Sequence, residues 1–343
     1  NGAMLVSQRG TVTGITGSGY GGPDRCAIVC SNSGTYTLSQ AADAPSGSGF
    51  DKSLDVACTS SDTYGTAADV THLRLSSLES QDCMKFEHGT SSAKKLTVQF
   101  YVKCSYADTF GLAFVNHDSQ KSNVQKFTIN SADTWQLVTL TYNGDTAAGF
   151  NNDANLGLSL DLFLGGGSDY TGGSATLNNW DTRSNNQSTY VSSTSTKFGT
   201  ATSHTFNVTG LQLEIGDTAT DFEHRSFSDE LRRCYRYYQL AENTAGSLQY
   251  VGLLQAYTTS GVFGIVRDYI LPMRAVPSVA QSGNFKFSSA DSTGVATGAI
   301  GNLAASSSGW YSGGWTGGSG TIAGGASVVY WANGAKLTAD AEL

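Results

Sequence analysis

Charge is what this chain has least of. Asp, Glu, Lys and Arg make up 14% of its 343 residues, against about 25% in an average soluble domain. The charge present leans acidic, with a formal net charge of -8 and a pI of about 5.0. Phosphate binding needs a concentrated basic face, so nucleic acid is not an expected partner. No apolar run approaches the ~18 residues of a membrane-spanning helix, and membrane insertion is not expected. No charged-then-apolar signal peptide opens the chain. The first residue is Asn1 rather than Met, which leaves the start open to processing or trimming.

Motifs for chemistry are missing too. The six cysteines, Cys26, Cys30, Cys58, Cys83, Cys104 and Cys234, form no C-x-x-C, and none has His at zinc-finger spacing. A chain this long does not need disulfide staples. Buried thiols made in a reducing cytoplasm are expected, with Cys26 and Cys30 the nearest candidates for a pair. The five histidines, His72, His88, His117, His204 and His224, form no H-E-x-x-H cluster, although His117 beside Asp118 gives a weak metal signal against the more ordinary reading as a turn. No G-x-S-x-G nucleophile elbow occurs. "DANLG" and "DSTG" lack the dense acidic ladder of an EF-hand loop, so calcium is left open and no cofactor is expected. Glu79, Asp82 and Glu87 lie close in sequence, and Asp161 and Asp169 flank a glycine-rich loop. Glycoside hydrolysis needs two carboxylates facing across a cleft, and solvated loop carboxylates are the simpler reading. The sequons at "NQS" and "NVT" are short patterns with little specificity.

Glycine and rings are what the chain has in quantity: 41 Gly, 16 Tyr, 15 Phe and 5 Trp. Disordered chains are short of aromatics and rich in charge, so this composition points instead to a buried core built from short strands and many turns. In "KKLTVQFYVKCS", Leu96, Val98, Phe100, Val102 and Cys104 share one face at period two. "FGLAFVN", "TWQLVTLTY", "LGLSLDLFLG" and "HTFNVTGLQLEIG" continue the pattern. The expected fold is all-β: a jelly-roll or β-sandwich domain over residues 1–225, a short linking helix at about 228–240, and a second, smaller β domain to residue 343. No solenoid period is present.

The linking helix is read from "SFSDELRRCYRYYQ". Ser228 is placed as N-cap, with Asp229 and Glu230 in the first turn where the helix dipole favours carboxylates. Leu231, Cys234, Tyr235 and Tyr238 follow at helical spacing as one apolar stripe. A helix this short is marginal alone, so the stripe is expected to dock as an internal seam. Arg232, Arg233 and Arg236 lie mainly off it, and salt links suit them better than a phosphate site.

Aromatic platforms are the strongest functional signal, because sugars present flat C–H faces to Trp and Tyr. Trp310, Tyr311 and Trp315 in "GWYSGGWTGG" are expected in an exposed glycine-rich loop, with Tyr170 and Trp180 as a second candidate pair. The alternative for all five is the ordinary one, rings that plug a sandwich or an interface. Trp135 and Trp331 lie in strand-like runs and are expected in the core.

Several stretches, taken in order, carry a resemblance: "NGAMLVSQRGT" followed by "DRC", then "KKLTVQFYVKCS", "TWQLVTLTY", "VTGLQLEIGDTATDFEHRSFSDELRRCYRYYQ", "LPMRAVPSV" and the final "ADAEL". Together they span almost the whole chain. They resemble tail-fibre-like virion structural proteins of tailed bacteriophages, with a jelly roll similar to carbohydrate-binding modules. The family usually has Trp where Cys26 stands, which removes any site that depends on that ring. No shared catalytic constellation exists to carry over. The resemblance implies a non-catalytic appendage protein on the virion, made in the host bacterial cytoplasm. Its expected partners are two further copies of itself as a trimer, other virion proteins and host-surface polysaccharide. A capsid-surface decoration or fibre is the alternative within the same class, and a polysaccharide depolymerase is the alternative from another.

Overall fold

The alternation in "KKLTVQFYVKCS" becomes the strand Leu96–Cys104. Leu96, Val98, Phe100, Val102 and Cys104 are at most 1% exposed, while Gln99, Tyr101 and Lys103 alternate with them as half-buried residues. The same rule builds the rest of the first unit. The computed structural model describes residues 1–246, 249–256, 262–263, 266–289, 296–316 and 326–343, and for 249–256, 262–263, 266–267, 286–289, 296–302, 311–316 and 326–329 it describes the backbone alone.

Packing divides the chain into Asn1–Glu230 with Leu343, and Leu231–Glu342. In the first unit one sheet has six strands, in the spatial order Val12–Ile15, Thr35–Ala41, Ser53–Ser60, Thr205–Ile215, Leu96–Cys104, Gln136–Tyr142. The other has seven, ordered Asp181–Thr182, Lys121–Ile129, Asp108–Asn116, Leu156–Gly166, Val70–Glu79, Ala27–Cys30, Ser18–Tyr20. All pairings in both are antiparallel. Strands distant in sequence are neighbours in space, as in a jelly roll. The inner faces meet in one core, with Leu38, Val56, Phe100 and Val208 from the first sheet and Leu73, Phe114, Leu160 and Leu162 from the second. All six cysteines are buried as thiols.

The second unit is also antiparallel β. Tyr238–Glu242, Lys336–Asp340 and Ser278–Ser282 form a three-stranded sheet. A seven-stranded sheet runs Val262–Phe263, Gln249–Ala256, Ala326–Trp331, Phe285–Ser289, Ala296–Ala305, Gly309–Thr316, Val266–Asp268. Phe285, Trp310, Trp331 and Leu337 are buried together in its core. No described helix is long and apolar enough to cross a membrane.

The linking helix is shorter than its sequence period suggests. It spans Phe227–Cys234, and its cap is Ser226, two residues before the expected Ser228. The Ser226 hydroxyl accepts from the Asp229 N–H at 3.2 Å and donates to the Asp229 carboxylate at 2.7 Å, a reciprocal arrangement like a capping box. Tyr238, expected on the helical stripe, instead opens the strand Tyr238–Glu242, whose five residues pair in register with Lys336–Asp340. A helix of two turns gains little from one more, whereas the ladder satisfies the backbone along that whole run. Cys234 and Tyr238 are buried, and Leu231 and Tyr235 are half-buried.

The sandwich core yields a direct test. Phe100 is fully buried in the main core, so Phe100→Ala is expected to cost about 3–5 kcal/mol, read as a lowered urea midpoint with an unchanged slope. A loss below about 1 kcal/mol, the range of a surface substitution, would contradict the packing described.

Candidate functional site

Each sheet of the jelly roll has an outer face, and the two differ in chemistry. On the six-stranded sheet the register aligns Ser39 with Asp55, Asp55 with Asn207, and Asn207 with Lys103. Gln136 faces Val102, which sets Trp135, one residue earlier, beside Lys103. The row therefore crosses five strands, about 19 Å at ~4.8 Å per strand. Side-chain bonds join it at the Ser39 end. Ser39 donates to Asp55 at 3.1 Å, and the Asn207 amide donates to the other Asp55 oxygen at 3.0 Å.

At the end of this row Trp135 is held by two neighbours. Its indole N–H donates to Asp43 at 3.2 Å. The Lys103 ammonium pairs with the same carboxylate and lies over the ring, 5.4 Å from the centroid. The bond from Lys103, with the one from Trp135, holds the Asp43 carboxyl below the usual carboxylate range. Trp135 is half-buried. Leu137, beside it on the same face, is 46% exposed and pairs with Tyr101. At this flank Phe50 meets Tyr101 edge-on at 5.9 Å. Gly210, at φ +65°, sits at a bulge where a Cβ would stand 2.8 Å from the Phe50 ring. The result is a fixed indole and an apolar strip alongside a row of hydrogen-bonding groups.

The seven-stranded sheet presents a buried charge network instead. Asp161 pairs with Arg74 across adjacent strands, with Arg74 Nε donating to Oδ1 at 3.1 Å. Ser159 donates to Asp161 at 3.1 Å, and His117 Nε2 lies 2.9 Å from Ser159. His72 Nε2 is 3.8 Å from Asp161. Burial alone raises the Asp161 carboxyl, but the neighbouring His72 and Arg74 charges more than offset it, leaving it below the usual range. Burial pushes both His72 and His117 down to about 4. The chain also roofs part of this face itself. Tyr190, fully buried, stacks on Phe163 at 4.1 Å. A Cβ on Gly111 would fall 2.0 Å from the Tyr190 carbonyl oxygen, so only glycine admits that strap.

The residues singled out in the sequence are dispersed. Tyr170 belongs to the roof, half-buried, with its ring stacked toward Phe163 at 6.5 Å. Trp180 packs against the main core, donates to the Asn143 carbonyl at 2.6 Å and meets His88 edge-on at 5.4 Å. The glycine-rich "GWYSGGWT" is a strand rather than a loop, Gly309–Thr316. Trp310 is 6% exposed within the second core, so its expected open placement is corrected: strand pairing with Ala305 and Arg267 turns it inward. The side chains of Tyr311 and Trp315 lie outside the described residues. Trp135, expected in the core, is instead a half-buried ring at the surface, held by Asp43 and Lys103. The signal for it was parity: Val138 and Tyr142 face inward, so positions 135 and 137 must face out.

The neutral histidines set a pH dependence. Their folded pKa values lie below the ~6.5 of an unfolded chain. Between about pH 6.5 and 4, unfolding therefore takes up protons at His72 and His117, and stability falls as pH falls. His88 and His204 are lowered as well, chiefly by burial, and Gly199 N–H donates to His204 Nδ1, which requires that nitrogen unprotonated. The expected loss is about 1.4 kcal/mol per pH unit for each fully shifted histidine, measured as urea midpoints from pH 7 to 4.5. A flat profile would contradict the buried neutral imidazoles.

The chain matches no protein-family model and no curated protein sequence. Among solved structures, the enzymatically active domain of tailspike protein 4 of bacteriophage CBA120 aligns at 11% identity and TM-score 0.31, covering 55% of this chain and 19% of that one. This chain thus spans less than a fifth of the tailspike chain. The family 11 carbohydrate-binding module of the cellulosomal cellulase Lic26A-Cel5E of Clostridium thermocellum aligns at 11% identity and TM-score 0.27, covering 62% and 93%. A CBM4 structure aligns at 12% identity and TM-score 0.28, covering 57% and 88%. The chain is similar to these structures at the level of architecture alone.

Proposed function

We propose that this chain is a non-catalytic virion structural protein of a tailed bacteriophage, a tail fibre or similar appendage whose jelly roll contacts host-surface glycans. The observation that carries the binding half is the half-exposed face built around Trp135. Its indole is oriented by Asp43 and Lys103, and it continues into the hydrogen-bonding row Lys103, Asn207, Asp55 and Ser39. A sugar ring lays its C–H face on an indole and offers hydroxyls to groups at its edge. A ring and partners already fixed before binding lose little further freedom when the ligand arrives.

The virion half rests on the sequence resemblance, with "VTGLQLEIGDTATDFEHRSFSDELRRCYRYYQ" and "ADAEL" as its most specific elements. The same resemblance implies a threefold assembly. Three copies of a weak site acting together exceed single-site affinity by about 10²–10⁴, which suits attachment to a repeating surface polymer.

Affinity electrophoresis against host-surface polysaccharides tests the face. Trp135→Ala is expected to weaken retardation by about tenfold or more, the loss of one anchoring aromatic, with Trp135→Phe intermediate and both unfolding midpoints near that of the parent. Retardation unchanged in Trp135→Ala refutes this face as the glycan site. Immunogold labelling of intact particles tests the virion assignment: label on a tail appendage supports it, and unlabelled particles overturn it.

A further inference from the structure

Arginine is unevenly placed in the first unit. Residues 1–224 hold four, Arg9, Arg25, Arg74 and Arg183, and all four attach to the seven-stranded sheet. The Arg9 guanidinium lies over the Tyr20 ring at 5.1 Å, and Arg25 donates to the Ser77 carbonyl at 2.6 Å. Arg74 belongs to Val70–Glu79 and pairs with Asp161. Arg183 directly follows the edge strand Asp181–Thr182. Its side chain is half-buried, yet it makes no hydrogen bond or ion pair among the described residues.

The backbone fixes where Arg183 stands. Thr182 pairs with Lys121, the Arg183 N–H donates to the Gln120 carbonyl at 2.8 Å, and Gln120 Nε2 donates to the His117 carbonyl at 2.7 Å. The short helix Arg183–Gln187 is tied down by Asn186, whose amide donates to the Ser122 carbonyl at 2.6 Å. Arg183 is thus held beside the turn that carries His117. Electrostatics agree. After burial, the charges of Arg74 and Arg183 both push His117 down. The Arg183 charge also acts on His72 below the roof and on Tyr170 and Tyr190 within it.

The carboxylates of this patch are already engaged. Asp161 takes Arg74 and Ser159. Asp118 accepts from the Ser80 hydroxyl at 2.7 Å and from the Asn151 N–H and amide at 3.0 and 2.9 Å. Asp181 accepts from the Thr182 N–H and the Asn185 amide. Lys121 is paired with Asp145 at 3.4 Å. Among the described residues here, Arg183 is therefore the charge left without a counter-ion. A guanidinium offers five donors in a planar fork that matches carboxylate and phosphate oxygens. We propose that the His117–Gln120 turn and the helix Arg183–Gln187 frame an oxyanion site, with Arg183 as its binding group and His117 beside it, for a carboxylate or phosphate group carried by a ligand. The backbone on both sides of Arg183 is ordered before binding, which limits the entropy lost when the anion arrives. This site lies on the other sheet from Trp135 and does not rest on the glycan reading of that face.

Calorimetric titration of the full chain at low salt tests it, with sodium glucuronate and inorganic phosphate as probes and glucose as the neutral control. The expected result is saturable millimolar binding of at least one anion, none of glucose, and weaker binding as sodium chloride is raised. Binding of glucuronate alone assigns the site to an acidic sugar, and binding of phosphate alone to a phosphorylated ligand. Arg183→Gln is expected to weaken binding about tenfold or more, the worth of a hydrogen bond to a charged group. Its urea midpoint stays near that of the parent, because no internal partner is lost. A bound anion favours the imidazolium form, so His117, set among Arg74, Asp161, Arg183 and Asp118, is expected to titrate at higher pH in the saturated protein, read by NMR of its ring protons. Trp135→Ala is expected to bind the anion as the parent does, so the two sites fail separately. The proposal is overturned if neither anion saturates, if glucose binds equally, if Arg183→Gln keeps full affinity, or if the His117 titration does not move.

Discussion

A strand that buries every second side chain has no freedom over the others. With Phe100 and Val102 fixed on the core, Tyr101 and Lys103 must face outward. Phe206 and Val208 do the same for Asn207, Leu54 and Val56 for Asp55, and Leu38 for Ser39. Antiparallel register then lines these outward residues up across the sheet. A slip of one residue would bury Lys103 and Asp55 and expose Phe100, so the core that stabilises the sandwich also protects the row. The surface is specified by the interior.

The two outer faces use that constraint differently. On the seven-stranded sheet the outward positions of Leu156–Gly166 hold Ser159, Asp161 and Phe163, all buried. A strap from the same chain covers part of them, and it approaches closely enough to require glycine at position 111. Polar groups under such a cover must find partners within the protein, and Asp161 does so through Arg74 and Ser159. Near Trp135 the six-stranded face is less completely covered: Ser39, Asp55, Lys103 and Trp135 are half-buried, and Asn207 between them is 5% exposed.

How much of this was legible follows from which period dominates locally. The strands around Phe100, Leu160 and Val208 could be read because their alternation is uninterrupted, and the all-β fold followed from them. Trp135 was misplaced because it stands at the edge of an apolar run, where composition suggests core and only phase relative to Val138 reveals the outward side. "GWYSGGWT" read as a loop because glycine weakens strand propensity. The ladders that hold it extended run to Ala296–Ala305, the other arm of a hairpin, and to Val266–Asp268, about forty residues earlier. Tyr238 fitted the helical stripe equally well. Its true role was fixed by Lys336–Asp340, about a hundred residues away in the chain, a pairing no local window contains.

Asp161 shows why a buried carboxylate here is not a general acid. A general acid needs a pKa near the working pH, which enzymes reach by desolvating the carboxyl and withholding counter-charge. Asp161 is desolvated, but Arg74 supplies the counter-charge and Ser159 a hydrogen bond to the ionised form, so the net shift is downward. It is held as an anion and has no proton to give at neutral pH. Ser159 is no better placed as a nucleophile, because its hydroxyl donates to Asp161 and so does not give its proton to His117. The network uses the residue types of hydrolytic chemistry in an order that locks them to one another. Its effect is to lock together the sheet opposite the Trp135 face.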